Sequence, residues 1–190
     1  MSMIGCFYAL KDEDLEAIVK APKRIHRLWS KPPPPKEPSF LGRLFGAQKQ
    51  SPADQDQWEP SDKPTAFDVD KAWQGIHFLL TGSDWEGDGP LAFILHGGRE
   101  IPEDLGYGSP HGFTSSEVRV IDAALRDVEA SALYERADLS KFTEQEIYPQ
   151  IWATEPKEQC IGYVTEYFKE LKKFVAESAQ SGRALIAYIG

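Results

Sequence analysis

Four histidines, two glycine pairs and several close-set carboxylates are the residues of this chain whose types and spacing can do chemistry. His26, His77, His96 and His111 can each move a proton near neutral pH or hold a metal through a ring nitrogen. No two of them stand one helical turn apart, and Cys6 and Cys160 form no Cys-x-x-Cys clip, so no metal site is expected. Gly97-Gly98 and Gly106-Tyr107-Gly108 can turn backbone amides toward an anion. Neither pair has the spacing of a P-loop or a dinucleotide fingerprint, so no cofactor is expected. Tight turns that need positive φ are the simpler reading of these glycines.

Other chemical patterns fail on their missing partners. His96-Gly97-Gly98 has the form of an esterase oxyanion loop, but the chain has no Gly-x-Ser-x-Gly nucleophile elbow, and Gly108-Ser109-Pro110-His111-Gly112 has the wrong spacing. Asp84-Trp85-Glu86-Gly87-Asp88-Gly89 sets three acids together without the remaining loop and distal glutamate of an EF-hand, and reads as an acidic turn. Asp68 with Asp70, and Glu144 with Glu146, can supply paired carboxylates for acid–base work. Both pairs also suit helix starts electrostatically, and that reading is preferred. His77 reads as a half-buried histidine bonded to backbone or to a carboxylate. Trp73, Tyr148 and Trp152 read as core aromatics that can also wall a pocket.

The elements that must position these groups are legible from apolar periodicity. Residues 3–10 and Ala184–Ile189 are strand-like runs at the two ends of the sequence. A short helix follows the first, opened by a capping acid in Lys11-Asp12-Glu13-Asp14 and ended by Pro22. Asp68–Leu80 carries Val69, Ala72, Trp73, Ile76 and Leu80 on one stripe, with Phe78 opposite and Gly82 as left-handed cap. Leu91–Leu95 is a short strand or one buried helical turn. Thr114-Ser115-Ser116-Glu117 is a capping box, and Ile161, Val164, Phe168, Leu171 and Val175 form the inner stripe of a last long helix. The expected fold class is α/β (α+β): a small mixed sheet containing the N- and C-terminal strands, with helices packed against it.

One domain spanning residues 1–190 is expected, interrupted by a Pro-rich insertion at about 30–64 that holds Pro32–Pro35 and the apolar turn Phe40–Phe45. Thirty acidic residues against 21 basic ones give a net charge of −9. Such a surface disfavours nucleic acid and anionic membranes. The basic run Lys20–Arg27 reads as a charged surface loop. No signal peptide and no membrane span are recognised, so a cytoplasmic location is expected.

Several segments together carry a resemblance. Met3-Ile4-Gly5 opens an apolar strand, and Trp73-Gln74-Gly75-Ile76-His77-Phe78-Leu79-Leu80-Thr81-Gly82 forms the most specific motif. Gly97-Gly98, Gly106-Tyr107-Gly108, the capped helix from Thr114, Ile147-Tyr148-Pro149 with Trp152, and the closing strand complete the set. In these the chain resembles the YfbM-like family over nearly its whole length outside the Pro-rich insertion. The resemblance implies a compact bacterial α/β domain of unknown biochemical role and hands over no catalytic residue. It also shows a departure: relatives often carry an arginine and a tyrosine where this chain has His111 and Gly112.

Two functions follow as expectations. The first is an interaction module for a protein partner, or one that self-associates, motivated by the acidic charge, the Pro-rich segment and the lack of a reaction centre. The alternative is a small-ligand or catalytic pocket where the end of the Trp73 helix meets the glycine-rich segment. Its candidate residues are His77, Gly97, Gly98, Tyr107, Gly108, His111 and Tyr148.

Overall fold

The structure, a computed structural model, describes residues 2–29 and 57–190. The Pro32–Pro35 tract and the Phe40–Phe45 turn lie outside the described residues. β1 (Gly5–Leu10) and β5 (Ala184–Ile189) pair antiparallel along their whole length, from Gly5 opposite Ile189 to Leu10 opposite Ala184. β2 (Thr65–Asp68) flanks β1; β4 (His111–Phe113) and the short β3 (Arg99–Glu100) continue the sheet beyond β5. The order is β2-β1-β5-β4-β3. Both end strands are therefore in the sheet, as their apolar runs require. A sheet of mixed direction was expected, but among the described residues all four ladders are antiparallel. Direction depends on the connections, which apolar patterning does not encode.

Strand alternation sends side chains to two cores. Phe7, Ala9, Leu185, Ala187 and Ile189 join the larger one, shared with α2 (Trp73–Thr81), α3 (Ser115–Arg126), α4 (Ala130–Arg136), α5 (Leu139–Glu144) and α6 (Lys157–Gln180). Leu10, Ala184 and Ile186 face the other way, onto Leu15 and Ile18 of α1 (Asp12–Lys20) and onto Ile25 and Leu28 of a 3-10 turn at Pro22–Leu28. The stripe on α6 expected from periodicity, Ile161, Val164, Phe168, Leu171 and Val175, is wholly buried. At roughly 1.5–3 kcal/mol for each such side chain, this helix is a principal source of core stability.

The capping box at α3 is complete: the Thr114 amide and hydroxyl donate to Glu117 Oε2 at 2.7 and 2.8 Å, and the Glu117 amide donates back to Thr114 Oγ1 at 3.3 Å. The acids opening α1 act differently from the expected cap. Lys11 holds the cap position without a side-chain bond. Asp12 instead reaches across to α3, accepting from the Ser115 amide at 2.7 Å and hydroxyl at 2.6 Å.

Three local expectations change. The helix expected over Asp68–Leu80 begins at Trp73; Asp68 ends β2 and Asp70–Ala72 is a 3-10 turn. Pairing of β2 with β1 competes successfully with helix there, and Asp70 takes a φ of 45°, outside the right-handed α-helical region. Leu91–Leu95 resolves as helical turns, with the Leu95 and His96 amides donating to the Ala92 carbonyl. Glu144 and Glu146 sit at the end of α5 rather than at a helix start, Glu146 with a φ of 49°.

Candidate functional site

α2 is buried on every side, which places polar groups where few helices carry them. Trp73, Gln74, Ile76 and His77 are each 3% exposed or less. The helix ends on Gly82, whose φ of 81° is the expected left-handed cap, with its amide on the Phe78 carbonyl at 2.8 Å. The chain then doubles back over α2 as an acidic strap, residues 83–89. Three side chains hold three successive carbonyls of that strap. Gln74 Nε2 donates to Asp84 O at 3.2 Å, His96 Nε2 to Trp85 O, and His77 Nε2 to Glu86 O at 3.1 Å.

A carbonyl only accepts, so the proton of neutral His77 is on Nε2 and Nδ1 is a bare acceptor. That Nδ1 and the Trp73 Nε1 are buried polar atoms without a hydrogen-bond partner among the described residues. Burial holds the His77 imidazole below its usual range and His96, 6.0 Å away between ring centroids, adds to this; the Glu86 carbonyl and Asp84 pull the other way. His77 therefore stays neutral at pH 7 and positions the strap. Gly87 is needed where it crosses: a Cβ there would lie 2.9 Å from Ala92 Cβ and 3.4 Å from the His77 ring.

The other candidates divide among three places. Tyr148 joins the α2 cluster, stacked on Trp73 at 6.1 Å, with its amide donating to Gln74 Oε1 at 2.8 Å. Gly97, Gly98 and His111 build the β3–β4 hairpin, where His111 Nδ1 donates to Gly97 O at 2.9 Å. Tyr107 and Gly108 lie on the exposed turn, Tyr107 43% exposed and Gly108 facing open space. Gly97, Gly98 and Gly108 all have positive φ, in keeping with tight turns. Gln74, which spacing does not single out, joins Tyr148 to the strap, and His96 holds the strap from the residue before Gly97. Gln74 gave a faint signal as a polar residue inside an apolar helix.

Open concave surface lies elsewhere. A groove of about 700 Å³ runs between α4 and α6. Its floor is Gly162, Thr165 and Phe168, its wall Ala130 and Tyr134, and its rim Glu129, Glu135 and Glu166 with Lys169 and Lys172. The lysines are committed locally. Lys172 donates to the Arg126 and Val128 carbonyls at 2.9 Å each, closing the end of α3, and lies 3.7 Å from Glu129. Lys169 pairs with Glu166 at 2.5 Å. Lys157 closes the end of α4 through Ala137 O at 2.7 Å.

A family model described as a domain of unknown function, DUF1877, matches residues 1–188. The chain belongs to this family. Comparison with curated proteins gives no match. Among solved structures the chain is similar to a protein of unknown function, YfbM from Escherichia coli, with a TM-score of 0.65 at 19% identity. The match covers 98% of this chain and 99% of that one. At such identity the likeness shows a shared fold.

Within this DUF1877 domain Gln74 and His77 of α2 are bonded to backbone carbonyls of the strap. Among the described residues no three His, Cys, Asp or Glu side chains gather as metal ligands, and no helix is long and apolar enough to cross a membrane. Both cysteines are free, and burial pushes both thiols up, so neither is an activated nucleophile.

Proposed function

We propose that this DUF1877 domain is a cytoplasmic interaction module whose α4–α6 groove takes a basic, amphipathic helix of a partner protein. The observation that carries this reading is the composition of the groove. Its floor is apolar at Phe168 and its wall at Ala130, Gly162 leaves room above the floor, and its lysines are held on helix ends and Glu166 while Glu129 is 71% exposed at the rim. An apolar helix face seated between charged edges is a recurrent recognition mode. The net charge of −9 steers cationic partners inward and repels nucleic acid.

The test is the affinity of the domain for a synthetic helix with leucines on one face and lysines on the other. Glu129→Lys with Glu135→Lys is expected to weaken binding by about tenfold or more and to flatten its salt dependence, since each 1.4 kcal/mol is tenfold. Equal affinity of the reversed-charge variant overturns the reading.

A second reading rests on the unpartnered His77 Nδ1. Release of the strap would open a small-ligand site between α2, Tyr148 and the start of the β3–β4 hairpin, drawing on His77, Gly97, Gly98, His111 and Tyr148, with Tyr107 and Gly108 on the exposed turn outside it. His96→Ala, which frees the Trp85 carbonyl, should then raise affinity for any small molecule that stabilises the native chain. Lower or unchanged affinity removes this reading.

A further inference from the structure

A second described cleft, about 430 Å³, opens on the opposite side of α6 from the groove's rim, where the 3-10 turn before α2 meets the segment after Tyr148. Asp70, Lys71 and Tyr163 supply its polar side, and Pro149 and Ile151 its apolar side. The volume suits a small molecule.

The polar side is held in place by one phenol. Tyr163 donates to Asp70 Oδ2 at 2.8 Å and accepts the Lys71 amide at 3.1 Å. The Asp70 amide bonds Asp68 Oδ1 at 3.1 Å. These bonds keep Asp70 at a φ of 45°, a conformation that costs free energy and must be held by its surroundings. The result is a carboxylate whose Oδ1 has no partner among the described residues, beside a Lys71 ammonium that also has none. Asp70 and Lys71 thus offer opposite charges on one rim, complementary in sign to the ammonium and carboxylate of an α-amino acid. Burial and the Asp70 carboxylate raise the Tyr163 phenol well above its usual range, so it remains a donor at neutral pH. Glu155, on the same rim, leaves the three charged groups with a net negative sign. Cys160 is 1% exposed at the floor, so its thiol is closed off from the cleft.

We propose that this cleft binds a free α-amino acid with a basic side chain. Asp70 takes the α-ammonium, Lys71 the α-carboxylate and Glu155 the side-chain cation, with Pro149 and Ile151 against its methylenes. Calorimetric titration of the full chain with L-arginine, L-lysine, L-leucine and L-glutamate tests it, alongside agmatine, which lacks the carboxylate, and N-acetyl-arginine, which lacks the ammonium. Arginine and lysine should bind more tightly than leucine, and glutamate least. Agmatine and N-acetyl-arginine should each lose about tenfold or more, the scale of a lost charged contact.

Asp70→Asn keeps a residue type that tolerates positive φ, and Lys71→Met keeps the side-chain length, so both variants should fold, as circular dichroism will report. Asp70→Asn should lose arginine binding by about tenfold, and Lys71→Met should bind arginine and agmatine equally. Absence of saturable binding by every amino acid overturns the proposal. So does arginine binding that both variants leave intact, since the ligand would then sit elsewhere. Neither result touches the α4–α6 groove.

Discussion

Asp14, on the first turn of α1, accepts two hydrogen bonds from Ser61: one from its amide at 2.9 Å and one from its hydroxyl at 2.8 Å. The carboxylate is 2% exposed, so these bonds replace its water. Beside them Asp62 pairs with Arg183 at 2.7 Å, tying the same segment to the approach of β5. Asp14→Ala should lower the stability of the domain by about 1–3 kcal/mol, because the Ser61 donors lose their acceptor. The urea midpoint reports this, and a loss confined to a few tenths would mean that Ser61 is held by other contacts.

The strap gives a pH dependence with a definite sign. His77 is depressed below its usual value of 6.5 by burial, so above that pH both folded and unfolded chains carry it neutral and its contribution is complete. As pH falls below 6.5 the unfolded chain takes up the proton first, and stability declines until the folded pKa is passed. His77→Gln, which keeps a donor for Glu86 O, should fall less steeply over this window. Melting temperatures of the two proteins between neutral pH and pH 5, compared pairwise, check it; parallel curves would show that His77 is not the titrating group.

Two glycines should respond to alanine in opposite directions. Gly98 has a φ of 58°, and a Cβ there would lie 2.4 Å from the Gly112 carbonyl and 2.9 Å from Phe113. Gly98→Ala should cost about 2 kcal/mol or more, through strain and displacement of the β3–β4 ladder. Gly162 is helical and faces open space. Gly162→Ala should stabilise the chain by about 0.5–1 kcal/mol through helix propensity, while filling the groove floor and weakening peptide binding. Denaturant midpoints with a peptide titration separate the two effects.

Local physics explains which parts could be read from sequence. The α6 stripe, the Thr114–Glu117 box and the Gly82 cap depend on residues within a few positions of one another, and each formed as its pattern requires. The two end strands were legible as apolar runs, and pairing them is the direct way to bury both. The start of the Trp73 helix was not, because Thr65–Asp68 is claimed by β1 and Asp70 by Tyr163, partners far away in sequence. The α2 side of the candidate pocket was partly visible through His77 and Tyr148. Their link through Gln74, and the clasp of His96 on Trp85, depend on where the strap crosses. The α4–α6 groove gave no sequence signal, since Glu129 and Gly162 acquire meaning only once Lys172 and Lys157 have joined the helices.

Hydrogen exchange on the intact chain, with and without the leucine–lysine helix, tests the interaction account most directly. Slowed exchange is predicted in residues 128–135 and 162–172, weakening as salt is raised and vanishing in the Glu129→Lys, Glu135→Lys variant. Unchanged exchange in both segments at saturating peptide, or protection that appears only elsewhere on the domain, would contradict it.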